Sequence, residues 1–161
     1  MKKFAIALLL VVALTLGLAG IATAASAPRA TGGGRVDYGY SIITIAFTAK
    51  QVNAATGAAK GQFEYYSVLD KFKAHGKVLY LAVEGNNAWI GVVITECTDT
   101  MMIGDEYVFE VQDNGEGKKA TGPDFIGGVL YAPASDALSK PDLSFAFVPW
   151  FRGNIQVFPG E

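Results

Sequence analysis

A two-residue alternation of apolar and polar side chains, recurring along most of the chain, limits what it can fold into more than any other feature. In Lys77 to Glu84, "KVLYLAVE", the side chains of Leu79, Leu81 and Val83 fall on one face and those of Val78, Tyr80, Ala82 and Glu84 on the other. That period belongs to a β-strand with one face toward a core, and Leu79, Leu81 and Val83 are the expected core face. In "EYVFEVQD", Tyr107, Phe109 and Val111 oppose Glu106, Val108, Glu110 and Gln112. The runs "SIITIAFTAKQ", "GQFEYYSVL", "AWIGVVITE", "DFIGGVLYA", "LSFAFVP" and "NIQVF" are likewise β-branched or aromatic. No window sustains a helical period of useful length. About eight short strands with Gly and Asn between them predict an all-β, single antiparallel domain, built as a small barrel or a β-sandwich.

The punctuation supports the same reading. Gly85-Asn86-Asn87 lies between two strand-like runs and predicts a hairpin, because Gly and Asn accept the positive φ of a tight turn. "TAKQVNAATGAAKG", Thr48 to Gly61, reads as a strand end followed by a mobile loop. "APRATGGG", Ala27 to Gly34, reads as a flexible lead-in. The expected organisation is therefore residues 1–24 as a signal peptide, 25–34 as the lead-in and 35–159 as the β domain.

The leader follows from its order of residues: basic Met1-Lys2-Lys3, the uncharged apolar run Phe4 to Gly20, then small residues through Ala27. This layout predicts export, to the periplasm or outside the cell, with cleavage after Ala24. No later stretch has the length and apolarity of a membrane span. The net charge is −2, and without Lys2 and Lys3 it becomes −4. A chain of that balance with no basic cluster lacks the concentrated Lys and Arg that nucleic acid binding requires. Cys97 is the single cysteine, which excludes an internal disulfide; at the end of a strand-like run it is expected to be a buried or half-buried, inert thiol.

The pieces in order, "TGGGRVDYG", "AFTAK", "GQFEYYS", "VLYLAVEGNNAWIGVVI", "YVFEVQDNGEGKKATGPDFI" and "FRGNIQVF", resemble the post-COAP-type family of small exported bacterial β domains, from about Gly32 to Phe158. Two departures stand out. The family often closes "GNIQVH" where this chain has Phe158, and "GKKATGP" lengthens the acidic loop. The resemblance implies an exported β domain and carries no activity with it.

The stretch with the most site-like composition is Val111 to Gly128, "VQDNGEGKKATGPDFIGG". Asp113, Asn114, Glu116 and Asp124 offer oxygen ligands of the kind calcium takes from a flexible loop, although their spacing is not that of an EF-hand. The same residues also make a good turn, with Asp113 and Asn114 bonding their own backbone, Gly115 and Gly117 at positive φ, and Pro123 presetting the next strand. Catalytic signatures are sparse. His75 is the single histidine and sits in a loop-like stretch, no Gly-x-Ser-x-Gly elbow occurs, and one His with one Cys falls short of a zinc ligand set. "TGGGRV" lacks the Lys-Ser or Lys-Thr of a phosphate loop. A carboxylate pair converging from different strands would still permit glycoside-type hydrolysis.

Aromatic residues offer a binding alternative. Adjacent Tyr65 and Tyr66 must point to opposite faces, Tyr38 and Tyr40 share one, and Trp89 and Trp150 flank turns. The expected function is a non-catalytic β domain acting as a structural or protein-interaction module at the cell envelope. The alternatives are a small-ligand or carbohydrate binder and a carboxylate-pair hydrolase. A lined interior cavity would favour the small-ligand binder, and two tightly packed sheets the interaction module.

Overall fold

A computed structural model describes residues 26–161; the expected signal peptide, residues 1–24, lies outside the described residues. Eight strands follow one another: β1 (Arg29–Asp37), β2 (Ile42–Asn53), β3 (Ala58–Ser67), β4 (Lys73–Glu84), β5 (Asn87–Cys97), β6 (Glu106–Gln112), β7 (Phe125–Tyr131) and β8 (Val148–Phe158). Each pairs antiparallel with the next, and β8 returns to β1, so the sheet closes into an up-and-down barrel. Closure decides between the barrel and the sandwich, and it leaves no free sheet edge along most of the wall.

The glycine triplet belongs to the wall and is not a lead-in. Residues 29–37 form β1, with Gly32 opposite Phe47 of β2 and Gly34 opposite Gly153 of β8. The physical reason is space inside the barrel. A Cβ on Gly32 would meet the Phe47 ring at 2.5 Å, and one on Gly34 would run into the Trp150 indole and the Arg152 carbonyl. The missing side chains of β1 are thus the room that two large rings occupy, and the domain begins near Arg29 instead of residue 35. The stretch Thr48 to Gly61 is also more ordered than its composition indicates. β2 runs to Asn53, and a tight turn capped by the Asn53 side chain, which accepts from the N–H groups of Ala55 and Thr56, leads directly into β3.

Gly85 and Asn86 do form the predicted hairpin between β4 and β5, with Gly85 at φ 59° and Glu84 opposite Asn87. In β6 the inward residues are Tyr107, Phe109 and Val111, as the alternation requires. In β4 the alternation is broken. The register against β5 shifts between Val78 and Tyr80, so Ala74, Gly76 and Val78 are buried before the irregularity and Leu81 after it, with Leu79 only half-buried. A bulge adds one residue to one strand and exchanges its faces, which is why Val78 turns inward in place of Leu79, while Leu81 and Val83 keep to the expected core face.

A second apolar cluster lies outside the barrel. The β7–β8 connection, residues 132–147, crosses the outer face of β4, β5 and β6, where Ala137 and Leu143 pack with Ala82, Trp89 and Val108. The strap is held at several points. Glu106 Oε2 accepts from Ala134 N at 2.6 Å, Trp89 Nε1 donates to Pro141 O at 2.9 Å, and Lys140 Nζ meets Glu84 Oε2 at 2.7 Å. This cover accounts for the unbroken burial from Ala88 to Val92 in β5, which has core on both faces. No helix among the described residues is long and apolar enough to cross a membrane.

Candidate functional site

The acidic loop lies between β6 and β7, at the end of the barrel that also carries the β4–β5 turn. All four oxygens of its two aspartates are matched to N–H donors. Asp124 Oδ1 accepts from Asn114 N at 2.9 Å and Oδ2 from Ile155 N at 2.8 Å; Asp113 Oδ1 accepts from Gly115 N at 2.8 Å and Oδ2 from Val157 N at 2.9 Å. Asn114 donates from Nδ2 to Pro123 O at 2.7 Å and accepts from Asn86 Nδ2 at 3.3 Å. Glu116 Oε1 receives the side-chain amides of Asn154 and Gln156 at 2.7 and 2.6 Å, and these donors hold its carboxyl below the ordinary glutamate range.

These bonds have one common target, strand β8. β7 reaches β8 at only two residue pairs, Phe125 with Pro149 and Ile126 with Val148. Beyond them the N–H groups of Ile155 and Val157 have no β7 partner, and the loop carboxylates take that place. A buried N–H left unmatched costs about 1–3 kcal/mol, so the loop closes the barrel seam chemically where the strands do not. Asp113, Asn114, Glu116 and Asp124 are brought together, as the calcium reading needs, but with their oxygens aimed at donors. Among the described residues no group of three or more His, Cys, Asp and Glu side chains has the convergence of a metal site.

The opposite end of the barrel is built differently. There the inward side chains stop short of filling the interior and leave a cavity of about 370 Å³. Phe63 and Tyr65 of β3, Ala74 of β4, Val92 and Ile94 of β5, and Tyr107 and Phe109 of β6 form its walls, with Phe72, Met102 and Val129 at its edge and Asp70 beside them. The lining is almost wholly apolar, and Asp70 is the one carboxylate among the lining residues described. A two-carboxylate hydrolytic arrangement would need a second. His75 lies on the outer wall, 3.8 Å from Glu64, and does not reach the cavity.

The β3–β4 connection shapes this mouth. Ser67 N donates to Phe72 O at 2.9 Å and Lys71 adopts the left-handed conformation at φ 57°, which sets the Phe72 ring edge-on to Tyr65 at 5.8 Å. Tyr107 packs on Tyr131 at 5.4 Å, and Tyr38 on Tyr40 at 6.2 Å. The phenols of Tyr65 and Tyr107 stay protonated. Burial, then the neighbouring Tyr38, Tyr40 and Asp70, push Tyr65 up to about 12, and burial followed by the Asp105 and Tyr131 neighbours raises Tyr107. Asp70 is ionised over a wider range than usual, because the Ser67 hydroxyl beside it holds its carboxyl below the ordinary aspartate value.

Tyr40, Val68, Leu69, Met101, Tyr131 and Phe145 are exposed. The first four lie on the β1–β2, β3–β4 and β5–β6 connections, which an up-and-down barrel places at one end; Tyr131 ends β7 at that same end, and Phe145 packs beside Gly128 of β7.

The aromatic residues divide as the alternation predicts at Tyr65, which packs against the core while Tyr66 faces out under Lys73. Trp89 and Trp150 are both buried and offer no exposed stacking surface. Cys97 is half-buried at the end of β5. Glu110, 3 % exposed, is a buried carboxylate that alternation alone places on the outer face; the strap that covers it has no signature in local sequence.

No protein-family model, curated protein or solved structure matches this chain. The resemblance to post-COAP-type domains rests on the sequence motifs alone.

Proposed function

We propose that the protein is a non-catalytic binder of small apolar molecules, which it holds in the open end of its barrel. The observation that carries this reading is the cavity of about 370 Å³ walled by inward side chains of β3 to β6. Its size falls at the lower end of the range of small-molecule sites, roughly 300–1,000 Å³. Interior positions of a small barrel are ordinarily filled by side chains; here Ala74 contributes little volume to the wall and leaves the space. The basic, apolar and small-residue order of residues 1–24 supports action outside the cytoplasm.

Titration with the neutral fluorophore N-phenyl-1-naphthylamine tests the reading. The wild-type domain should enhance its emission saturably with a Kd in the range of about 1–50 μM. Ala74→Leu, which fills the cavity without adding a polar atom, should weaken binding about tenfold or more while circular dichroism stays native. No enhancement by wild type, or identical binding by the variant, would rule the function out.

A second reading, a protein-interaction module, is favoured by Leu69, Met101 and Tyr131, which are exposed at the same end of the barrel. Large apolar side chains left in water at one end of a domain are the material of a partner site. The two readings separate experimentally: Met101→Ser with Leu69→Ser should spare the fluorophore's binding and abolish association with a protein partner.

A further inference from the structure

The mouth of the cavity has a charge that the cavity itself lacks. Asp37, Asp70, Asp99 and Asp105 lie on or beside the β1–β2, β3–β4 and β5–β6 connections at this end of the barrel, against two lysines, Lys71 and Lys73, on or beside the same connections. Asp70 lines the opening, and Asp105 stands beside two of the mouth phenols, with its Oδ1 3.5 Å from Tyr131 Oη and its charge acting on Tyr107. Tyr65, Phe72 and Tyr107 line the same opening as Asp70, with Tyr65 edge-on to Phe72 and Tyr107 edge-on to Tyr131.

Aromatic faces attract cations through their quadrupole, and the attraction grows as the cation loses water. Carboxylates at the same opening add a Coulomb term of the same sign, and the potential of a cleft with apolar walls is focused toward its mouth. An anionic head at that opening would meet repulsion from both sources.

We propose that the ligand is an amphiphilic monocation, whose apolar part fills the barrel end and whose ammonium or similar head rests at the mouth between Asp70 and the Tyr107–Tyr131 pair. This inference depends on the cavity being a binding site and adds the class of molecule that enters it. Neutral apolar molecules bind by burial alone, whereas fatty acids, with an equal tail and the opposite head charge, bind worst. The basic residues Lys73 and Lys140 do not alter this order. Lys73 lies over Tyr66 on the outer wall, and Lys140 is paired with Glu84 on the strap.

The test is competition against bound N-phenyl-1-naphthylamine by three molecules of equal chain length below their micellar concentrations: dodecyltrimethylammonium, dodecanol and dodecanoate. The ammonium should displace the probe at about tenfold or more lower concentration than dodecanoate, with dodecanol between them. Asp70→Asn, which keeps an acceptor for the Phe72 N–H seen at 3.4 Å, should narrow the gap between ammonium and dodecanoate and leave dodecanol unchanged. Raising salt from about 0.02 to 0.5 M should narrow it in wild type as well, since exposed charges are screened over a Debye length that falls below ~10 Å.

Equal displacement by all three, or preference for dodecanoate, overturns the inference about the head group and leaves the cavity as a site. Failure of the probe to bind at all overturns both.

Discussion

The carboxylate of Asp124 accepts the backbone N–H of Ile155 at 2.8 Å, and the Asp124 backbone carbonyl accepts the N–H of Trp150 at the same distance. One residue thereby holds β8 at two points five residues apart, across a seam where β7 contributes only two paired positions. Asp124→Ala leaves the N–H groups of Ile155 and Asn114 without their acceptor in a mostly buried place. We expect a loss of about 3 kcal/mol, since hydrogen bonds to charged groups contribute roughly 1.5–3 kcal/mol each. Equilibrium denaturation in urea measures it. Asp113→Ala, which frees Val157 N and Gly115 N, should cost less because Gly115 is exposed, and Glu116→Gln, which neutralises an exposed acceptor, should lower the midpoint least of the three.

The same bonding predicts the response to calcium. Each oxygen of Asp113 and Asp124 already faces an N–H at 2.8–2.9 Å, and a cation entering the loop would have to displace those donors and open the seam. Millimolar calcium and excess chelator should therefore give the same melting temperature. A rise of several degrees with calcium would show that the loop trades its bonds to β8 for a cation, because a ligand that binds the native state selectively stabilises it by mass action.

Neighbouring glycines of β1 should respond oppositely to the same substitution. Gly34 points inward beneath Trp150, so Gly34→Ala drives a methyl group into the indole and the Arg152 carbonyl and should cost about 1–3 kcal/mol by overpacking. Gly33 points outward, where a Cβ would meet nothing closer than the Ala46 methyl at 4.0 Å. Gly33→Ala should be neutral or stabilising by a few tenths of a kcal/mol, through loss of unfolded-state freedom. Thermal melts of the two single variants compare them directly.

These glycines also show where local sequence loses its meaning. Strand existence, the Gly85-Asn86 hairpin and the inward set Tyr107, Phe109 and Val111 depend on neighbours two or three residues away, and periodicity exposes them. "TGGG" has the composition of a linker; only the approach of Phe47 from β2 and Trp150 from β8 makes it a wall. The β4 bulge that turns Val78 inward and leaves Leu79 half-buried is a property of a strand pair. The candidate sites follow the same rule. Acidic residues between Val111 and Phe125 are conspicuous in the sequence, yet their task is set by the shortness of β7 beside β8. The cavity has no local signature because seven of its wall residues come from four strands and read, one at a time, as ordinary core.

Glu110 gives the barrel a dependence on pH of distinctive sign. Its side chain is sealed between the outer wall of β6 and the strap, where Asn87 Nδ2 donates to Oε1 at 3.1 Å and Leu143 N to Oε2 at 3.3 Å. Burial raises its carboxyl above the ordinary 4.5; the Leu143 N–H pulls the other way, and the Asp142 charge adds to the rise. The folded protein therefore holds this proton more tightly than the unfolded chain does. As pH climbs from about 4.5 through the folded midpoint, the unfolded chain has given up the proton and the native state has not, so stability falls across that interval and is level above it. Asp70, Glu84, Glu116 and Asp142 have lowered values and act in the opposite sense, losing stability only as pH falls below the ordinary carboxylate range. The two effects thus occupy different pH windows. Glu110→Gln cannot ionise, and the difference in unfolding free energy between wild type and this variant, measured in urea from about pH 4 to 8, should shift against wild type as pH rises. A constant difference across that range would mean that the strap opens readily enough to hydrate the carboxylate, and hydrogen exchange at Leu143 N would then be fast.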